Sequence, residues 1–295
     1  MPVARRHMLK QGRVVSALLR TAAIASRTNP DAPIHTPGPE YSETVPARSS
    51  KLIADYVRHV GGSPSAYRRS VPAHLFPQWG FPVMSKTLAG LPYDLKAVLN
   101  GGCRMQINAP IPAGEKLHLT ARLVEVDDND RRAVLKQRLV TSTDSAPEAM
   151  VADIYIIVPH RRGGKKGPKK APVTVPLDAR EVARWKLKPT AGRDFAILTG
   201  DINPVHWIGP YARMAGFKAC ILHGYSTLAR AIESMNKNLW SGDISRLQTI
   251  DVRFTKPLVL PAEVGVYVTS DGNLTVGGAP GGAAFLTGEF TTRTP

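Results

Sequence analysis

The chain places Asp201, Asn203 and His206 within six residues, in the run Gly200-Asp-Ile-Asn-Pro-Val-His206. A neutral imidazole is a competent general base near pH 7, and a carboxylate beside it can hold a water or accept a proton. Pro204 forbids a regular helix between the two, so a tight loop can turn both side chains toward one point. Asn203 both donates and accepts, which suits orienting a carboxylate or a substrate carbonyl. The same three residues also suit plain turn chemistry, with Asp and Asn side chains taking backbone amides and His206 at the surface. Seventeen and eighteen residues after His206 come His223 and Gly224, followed by Tyr225 and Ser226. There an apolar pattern opens a helix over residues 226–236, with Leu228, Ile232 and Met235 on one face. A glycine amide at a helix start is an open donor beside the positive end of the helix dipole, placed to stabilise an enolate-like oxygen. An acid–base pair with such a donor fits proton abstraction or addition beside a thioester carbonyl.

The elements that would position these residues fall into two units of the same order, an α+β arrangement. Residues 1–40 form a basic leader, 41–160 a first globular unit, 161–176 a basic linker and 177–295 a second unit. In the first unit, helices are expected at residues 51–60 and from residue 83. Strands follow, with Leu117, Leu119, Ala121 and Leu123 alternating, a turn at Asp127–Asp130, and further strands near residues 133–140 and 152–158. The second unit repeats the plan with a helix near residues 193–198, the Asp201 loop, the 226–236 helix and strands at 249–255 and 263–269. Residues 108–115 resemble 255–263, each preceding an alternating strand, so an internal duplication is expected.

The net charge of +16 is localised. Residues 1–30 carry six cations and no acid, residues 161–170 six more and no acid, and these two segments hold twelve of the sixteen charges. The rest is too mildly basic for a nucleic-acid-binding face, and no nucleic-acid-binding motif accompanies it. The leader, with Val14, Val15, Leu18, Leu19 and Ile24 on one helical face, reads as a helix packed on its own domain or a loose leader before a transit peptide or membrane-surface helix. The linker reads as a solvated tether, or as an arm that steers an anionic carrier. No apolar run approaches the roughly 20 residues of a membrane span. Cys103 and Cys220 match no metal spacing.

The motif Gly-Asp-x-Asn-Pro-x-His, with Phe217 eleven residues past the His and His223-Gly224 beyond it, resembles the MaoC-like or (R)-specific enoyl hydratase family. The resemblance covers the chain from about residue 41, but its specific residues lie in the second half. It implies a double hot-dog fold: antiparallel sheet wrapped around central helices. It implies reversible hydration of trans-2-enoyl thioesters to (R)-3-hydroxyacyl thioesters, with coenzyme A or acyl carrier protein as carrier, water as co-substrate, and neither metal nor redox cofactor. Asp201 and His206 would be the catalytic pair, Asn203 their support, and the Gly224 amide the oxyanion donor, with His223, Tyr225 and Ser226 around the substrate. The chain departs from the family at Ile208-Gly209-Pro210, at Cys220 and at the bulky Tyr225, which bear on pocket shape. The counterpart in the first unit, residues 60–67, offers neither carboxylate nor imidazole, so one site per chain is expected, with His74 and His118 as packing or surface residues. The alternatives are a hot-dog thioesterase and a non-catalytic acyl-binding or assembly subunit blocked by Tyr225. The expected form is a monomeric pseudo-dimer or a homodimer. The expected location is the bacterial cytoplasm, or an organelle matrix if the leader is a transit peptide.

Overall fold

The computed structural model describes residues 3–17, 32–95, 98–160 and 171–294. Residues 161–170, and with them the charged part of the linker, lie outside the described residues, as do residues 18–31 of the leader.

The first half runs β1 (Tyr41–Val45), α1 (Ser50–His59), β2 (Ser70–Val71), α2 (Pro77–Met84), β3 (Leu99–Ile107), β4 (Ile111–Pro112), β5 (Leu117–Asn129), β6 (Arg132–Ser142) and β7 (Met150–Pro159). The second runs β8 (Arg180–Leu187), α3 (Ala191–Thr199), α4 (Gly209–Met214), α5 (Gly224–Leu239), β9 (Leu247–Phe254), β10 (Ala262–Val268), β11 (Asn273–Gly277) and β12 (Ala284–Thr292). Ten strands form one antiparallel sheet in the order β1-β5-β6-β7-β3-β9-β12-β11-β10-β8. Reading outward from the central β3–β9 pair, each half contributes its strands in the same relative order, so the halves are related by a pseudo-twofold. This is the double hot-dog, an α+β fold, and the mirrored order is what a duplication produces.

Period-two patterning makes the sheet: along β5, Leu117, Leu119, Ala121 and Leu123 are buried while the residues between them are partly exposed. The halves meet where β3 pairs β9, from Gly102 opposite Arg253 to Gln106 opposite Thr249. Gly102 has φ 137°, and a Cβ there would come within 2.0 Å of the Val252 carbonyl oxygen. Only glycine allows the two backbones to approach so closely. The sheet curls around α2 and α5. Trp79 of α2 is 1% exposed and donates to Thr141 Oγ1 across 3.1 Å. The sixteen residues of α5 extend about 24 Å, with Leu228, Ile232 and Met235 buried in the core that both halves share.

Several boundaries differ from the pattern-based expectation. The helix expected from residue 83 starts at Pro77 and gives way to a 3₁₀ turn at Ser85–Leu88. Its mostly apolar residues have no polar face to set a period, and proline suits its first turn. The turn expected at Asp127–Asp130 comes later: β5 continues to Asn129, whose side chain takes the Arg131 and Arg132 amides and closes the hairpin. β8 carries a largely exposed edge sequence, Arg-Glu-Val-Ala-Arg-Trp-Lys-Leu, whose charges hide its strand pattern. The end of the linker is bound, not tethering: Val175 is fully buried and bridges Pro280, and Thr174 bridges Ala283.

Residues 3–17 of the leader pack on the molecule. They form a 3₁₀ turn, Arg5–Lys10, and a helical segment over residues 12–17, and together they bury His7, Gln11, Val14 and Ala17 against the chain.

Candidate active site

Helix α3 is stopped by Gly200, which adopts the left-handed conformation at φ 82°, ψ 1° and donates its amide to the Ala196 carbonyl at 2.8 Å. The chain then reverses through Asp201–Asn203. Asp201 Oδ1 accepts the Asn203 amide at 3.4 Å, and Asn203 Oδ1 accepts the Val205 amide at 3.3 Å. The two side chains therefore do turn chemistry, and Asn203, which is exposed, caps the 3₁₀ turn Pro204–His206 without touching the imidazole. That turn lies against the start of α3, where a Cβ on Gly192 would meet the His206 carbonyl oxygen at 2.2 Å.

His206 and His223 stack face to face, their ring centroids 3.5 Å apart and their planes 24° apart. Each ring has one nitrogen pinned by a backbone carbonyl: His206 Nδ1 by Ile221 at 2.8 Å and His223 Nε2 by Asp201 at 3.0 Å. A carbonyl only accepts, so those nitrogens carry the protons and leave His206 Nε2 and His223 Nδ1 with free lone pairs. Burial holds His206 below the ordinary histidine range, against the opposing pull of Asp201 and its bond to Ile221. Burial, then the neighbouring His206, drives His223 down to about 3, although Asp201 favours its charged form. Two imidazolium rings at this separation would repel strongly, and the site instead holds two neutral imidazoles beside a carboxylate. Asp201 Oδ2 lies 3.8 Å from His223 Nε2. One ligand atom from each of Asp201, His206 and His223 lies within 4.8 Å of the others, so this is also the group that could hold a cation.

His223 is the residue before α5 and accepts the amides of Ser226 and Thr227 at 3.0 and 3.1 Å. The Gly224 amide ahead of them is left as an open donor at the helix start. A Cβ on Gly224 would lie 2.6 Å from the Phe254 ring, so the aromatic wall requires glycine there. Tyr225 is buried among Phe76, Phe81 and Phe254, with ring centroids 5.3, 5.7 and 5.7 Å away. Burial raises its phenol well above the usual range. Ser226 is fully buried, and its hydroxyl has no hydrogen-bond partner among the described residues. The structure thus gathers Asp201, His206, His223, Gly224, Tyr225 and Ser226 at the junction of the α3 loop and α5, with Asn203 on its outer side.

The sequence reading missed the second layer. Phe195 packs on His223 with centroids 4.9 Å apart, and Arg230, one α5 face along, turns Nη2 to His59 Nε2 at 3.2 Å. Burial, and then Arg230, press His59 to about 3, and burial lowers Arg230 to about 10. An arginine set in the run Leu228-Ala-Arg-Ala-Ile232 was the available signal.

Comparison with known proteins fits this geometry. The family described as MaoC like domain matches residues 167–279. The match falls in the second half of the chain. The chain is 28% identical over 186 residues to the Dictyostelium discoideum protein named Probable enoyl-CoA hydratase 2, covering 61% of this chain and 63% of that one. It is 31% identical over 184 residues to 3-hydroxyacyl-thioester dehydratase Y of Mycobacterium tuberculosis, covering 58% and 61%. The matches thus span about three-fifths of these relatives' lengths. Among solved structures, a MaoC-like dehydratase from Phytophthora capsici superposes with a TM-score of 0.71 at 20% identity, over 90% of this chain and 98% of that one. A Mycobacterium tuberculosis protein described as a double hot-dog superposes at 0.56 with 13% identity, over 88% and 96%. These two likenesses concern the fold.

Proposed function

We propose that the chain is a hydro-lyase that interconverts trans-2-enoyl and (R)-3-hydroxyacyl thioesters, with one site per chain at Asp201 and His206. The observation that carries this reading is a neutral imidazole beside a carboxylate, next to an open glycine amide at the start of a buried helix. In the hydration direction, water sits between Asp201 and His206. His206 Nε2 takes a proton as the water oxygen bonds C3, and the displaced π electrons move onto the thioester oxygen. The Gly224 amide and the α5 dipole stabilise that oxygen. Asp201 stabilises the transient imidazolium, and the Asp201/His206 pair returns the proton to C2, so the elements of water are added in full. His223 acts from beneath, where its ring supports His206 and its Nε2–H holds the Asp201 carbonyl.

The carrier is coenzyme A, as in the name of the Dictyostelium discoideum relative, or acyl carrier protein, and Tyr225, with Phe76, Phe81 and Phe254, forms an aromatic wall beside the thioester carbonyl. The reaction draws on water alone. The deciding experiment follows loss of enoyl-thioester absorbance with crotonyl- and dodecenoyl-CoA, together with the configuration of the product. Turnover to the (R)-alcohol that falls at least about 100-fold in Asp201→Asn supports the reading. Release of free thiol and acid in place of hydration would move the chain to the thioesterases, and thioester binding with no turnover would make it a binding subunit.

A further inference from the structure

The leader segment over residues 3–17 sits directly behind the Asp201 loop. Gln11 is fully buried, and its Nε2 donates to the Leu198 carbonyl at 2.8 Å. Leu198 lies in the last turn of α3, where carbonyls lack intrahelical partners, three residues before Asp201. The amide of Gln11 is itself fixed: its Oε1 accepts from Gln78 Nε2 at 2.9 Å, and Gln78 Oε1 accepts from Arg48 Nη1 at 2.8 Å. One turn on, Val14 is 2% exposed and covers Gly200, where a Cβ would meet the Val14 Cβ at 2.8 Å and the Gln11 Cβ at 3.0 Å. Two polar contacts flank these, the hydrogen bond of His7 with Asp55 of α1 at 2.8 Å and the ion pair of Arg13 with Glu43 of β1. The segment thus closes the C-terminal end of α3 from outside while the catalytic loop emerges on the other side.

We propose that residues 3–17 are a strap that positions the Asp201 loop, with Gln11 as its positioning residue: the Arg48–Gln78–Gln11–Leu198 chain of hydrogen bonds and the Val14–Gly200 contact hold the turn from which Asp201 is presented. The assignment of Asp201 as catalytic rests on the reading above; the mechanical role of the strap does not. Because the strap never touches substrate, it acts on the chemical step and not on substrate affinity.

Gln11→Glu keeps size and the acceptor for Gln78 but turns an oxygen toward the Leu198 carbonyl. Gln11→Met keeps volume alone, and Val14→Ala loosens the cover over Gly200 and serves if the Gln11 variants do not fold. The readouts are hydrogen–deuterium exchange of residues 198–206 and the separate kcat and KM for enoyl-thioester hydration. The expected result is exchange of that segment at least about tenfold faster with β9–β12 unchanged, and kcat lowered about tenfold with KM within about twofold. Exchange that stays at the wild-type rate in all folded variants overturns the strap. Equal loss across the whole chain, or a change in KM alone, also overturns it. Faster loop exchange in a protein whose wild type hydrates no enoyl thioester supports the strap and refutes the hydratase reading, so the two fail separately.

Discussion

In each half a short helix runs into a left-handed glycine, Gly61 at φ 92° after α1 and Gly200 at φ 82° after α3. Five residues before that glycine stands an aromatic, Tyr56 or Phe195, that packs on a histidine preceding the central helix: His74 at 5.5 Å in the first half and His223 at 4.9 Å in the second. Six residues after it stands Tyr67 in one half and His206 in the other. The residue following the glycine is Gly62 where the second half has Asp201. A Cβ on Gly62 would lie 2.2 Å from Glu233 Oε2, so a carboxylate from α5 of the other half fills the place of the missing side chain. There Glu233 Oε1 accepts from Tyr67 at 2.6 Å and pairs with His74 at 2.9 Å, and the Tyr56 hydroxyl donates to the His74 carbonyl. The Leu75 amide, in the place of Gly224, is closed onto the Pro72 carbonyl at 3.0 Å. The first half has spent its polar groups on one another and on Glu233. Among the described residues, the second keeps a free imidazole nitrogen, an unpaired Ser226 hydroxyl and an open amide. The same scaffold has its groups satisfied in one half and leaves them open in the other, where the proposed reaction would use them.

Exchanging catalytic-type groups in each half tests that contrast most sharply. Asp201→Asn and His206→Gln should each lower kcat/KM for hydration by about 10²–10⁴-fold with little loss of stability. Either variant keeping wild-type turnover would dissolve the distinction between the halves. Gly224→Ala should cost about 10²-fold in kcat, because the Phe254 ring 2.6 Å from the new Cβ must push the amide off line. A purely steric effect on KM would argue against the oxyanion role. At the first-half cluster, loss of the α5 carboxylate in Glu233→Leu strands buried His74 and should lower unfolding stability by about 3 kcal/mol in urea titration, while the folded fraction keeps its hydration rate within about twofold.

The pH responses should be milder. His206 is held below the ordinary value of 6.5, so the basic form persists and kcat/KM should stay level through pH 6.5, falling only at lower pH. His59 and His223 have folded values of about 3 against 6.5 unfolded, so below 6.5 the unfolded chain binds protons that the folded one refuses. Stability from these groups is complete above about pH 6.5 and drains away as the pH falls toward 3, which thermal melts across that window would register. Smallest of all should be the effect of a chelator. Asp201, His206 and His223 are close enough to take a cation, yet the proposed reaction needs none, and dialysis against EDTA should leave the rate unchanged. Loss restored by zinc would turn the acid–base pair into a metal centre.

The sequence made the candidate site of the second half legible because that site is local. Asp201, Asn203, Pro204 and His206 fall within one turn, and Gly224 opens a helix whose apolar spacing is plain. Period-two patterning along β5 and the order of elements likewise made the repeated α+β plan legible. The tertiary structure alone decided what depends on residues far apart in the chain. The partner of Gly62 is Glu233, more than half the chain away, and nothing near Gly62 hints at a carboxylate. The role of Asn203 is a backbone contact that its residue type permits as readily as a side-chain one. The protonation of the two histidines comes from burial and stacking between loops that only the folded α3–α5 junction brings together. The leader's place behind Gly200 rests on contacts such as the Gln11 amide finding Leu198 187 residues on, pairings that no local periodicity encodes.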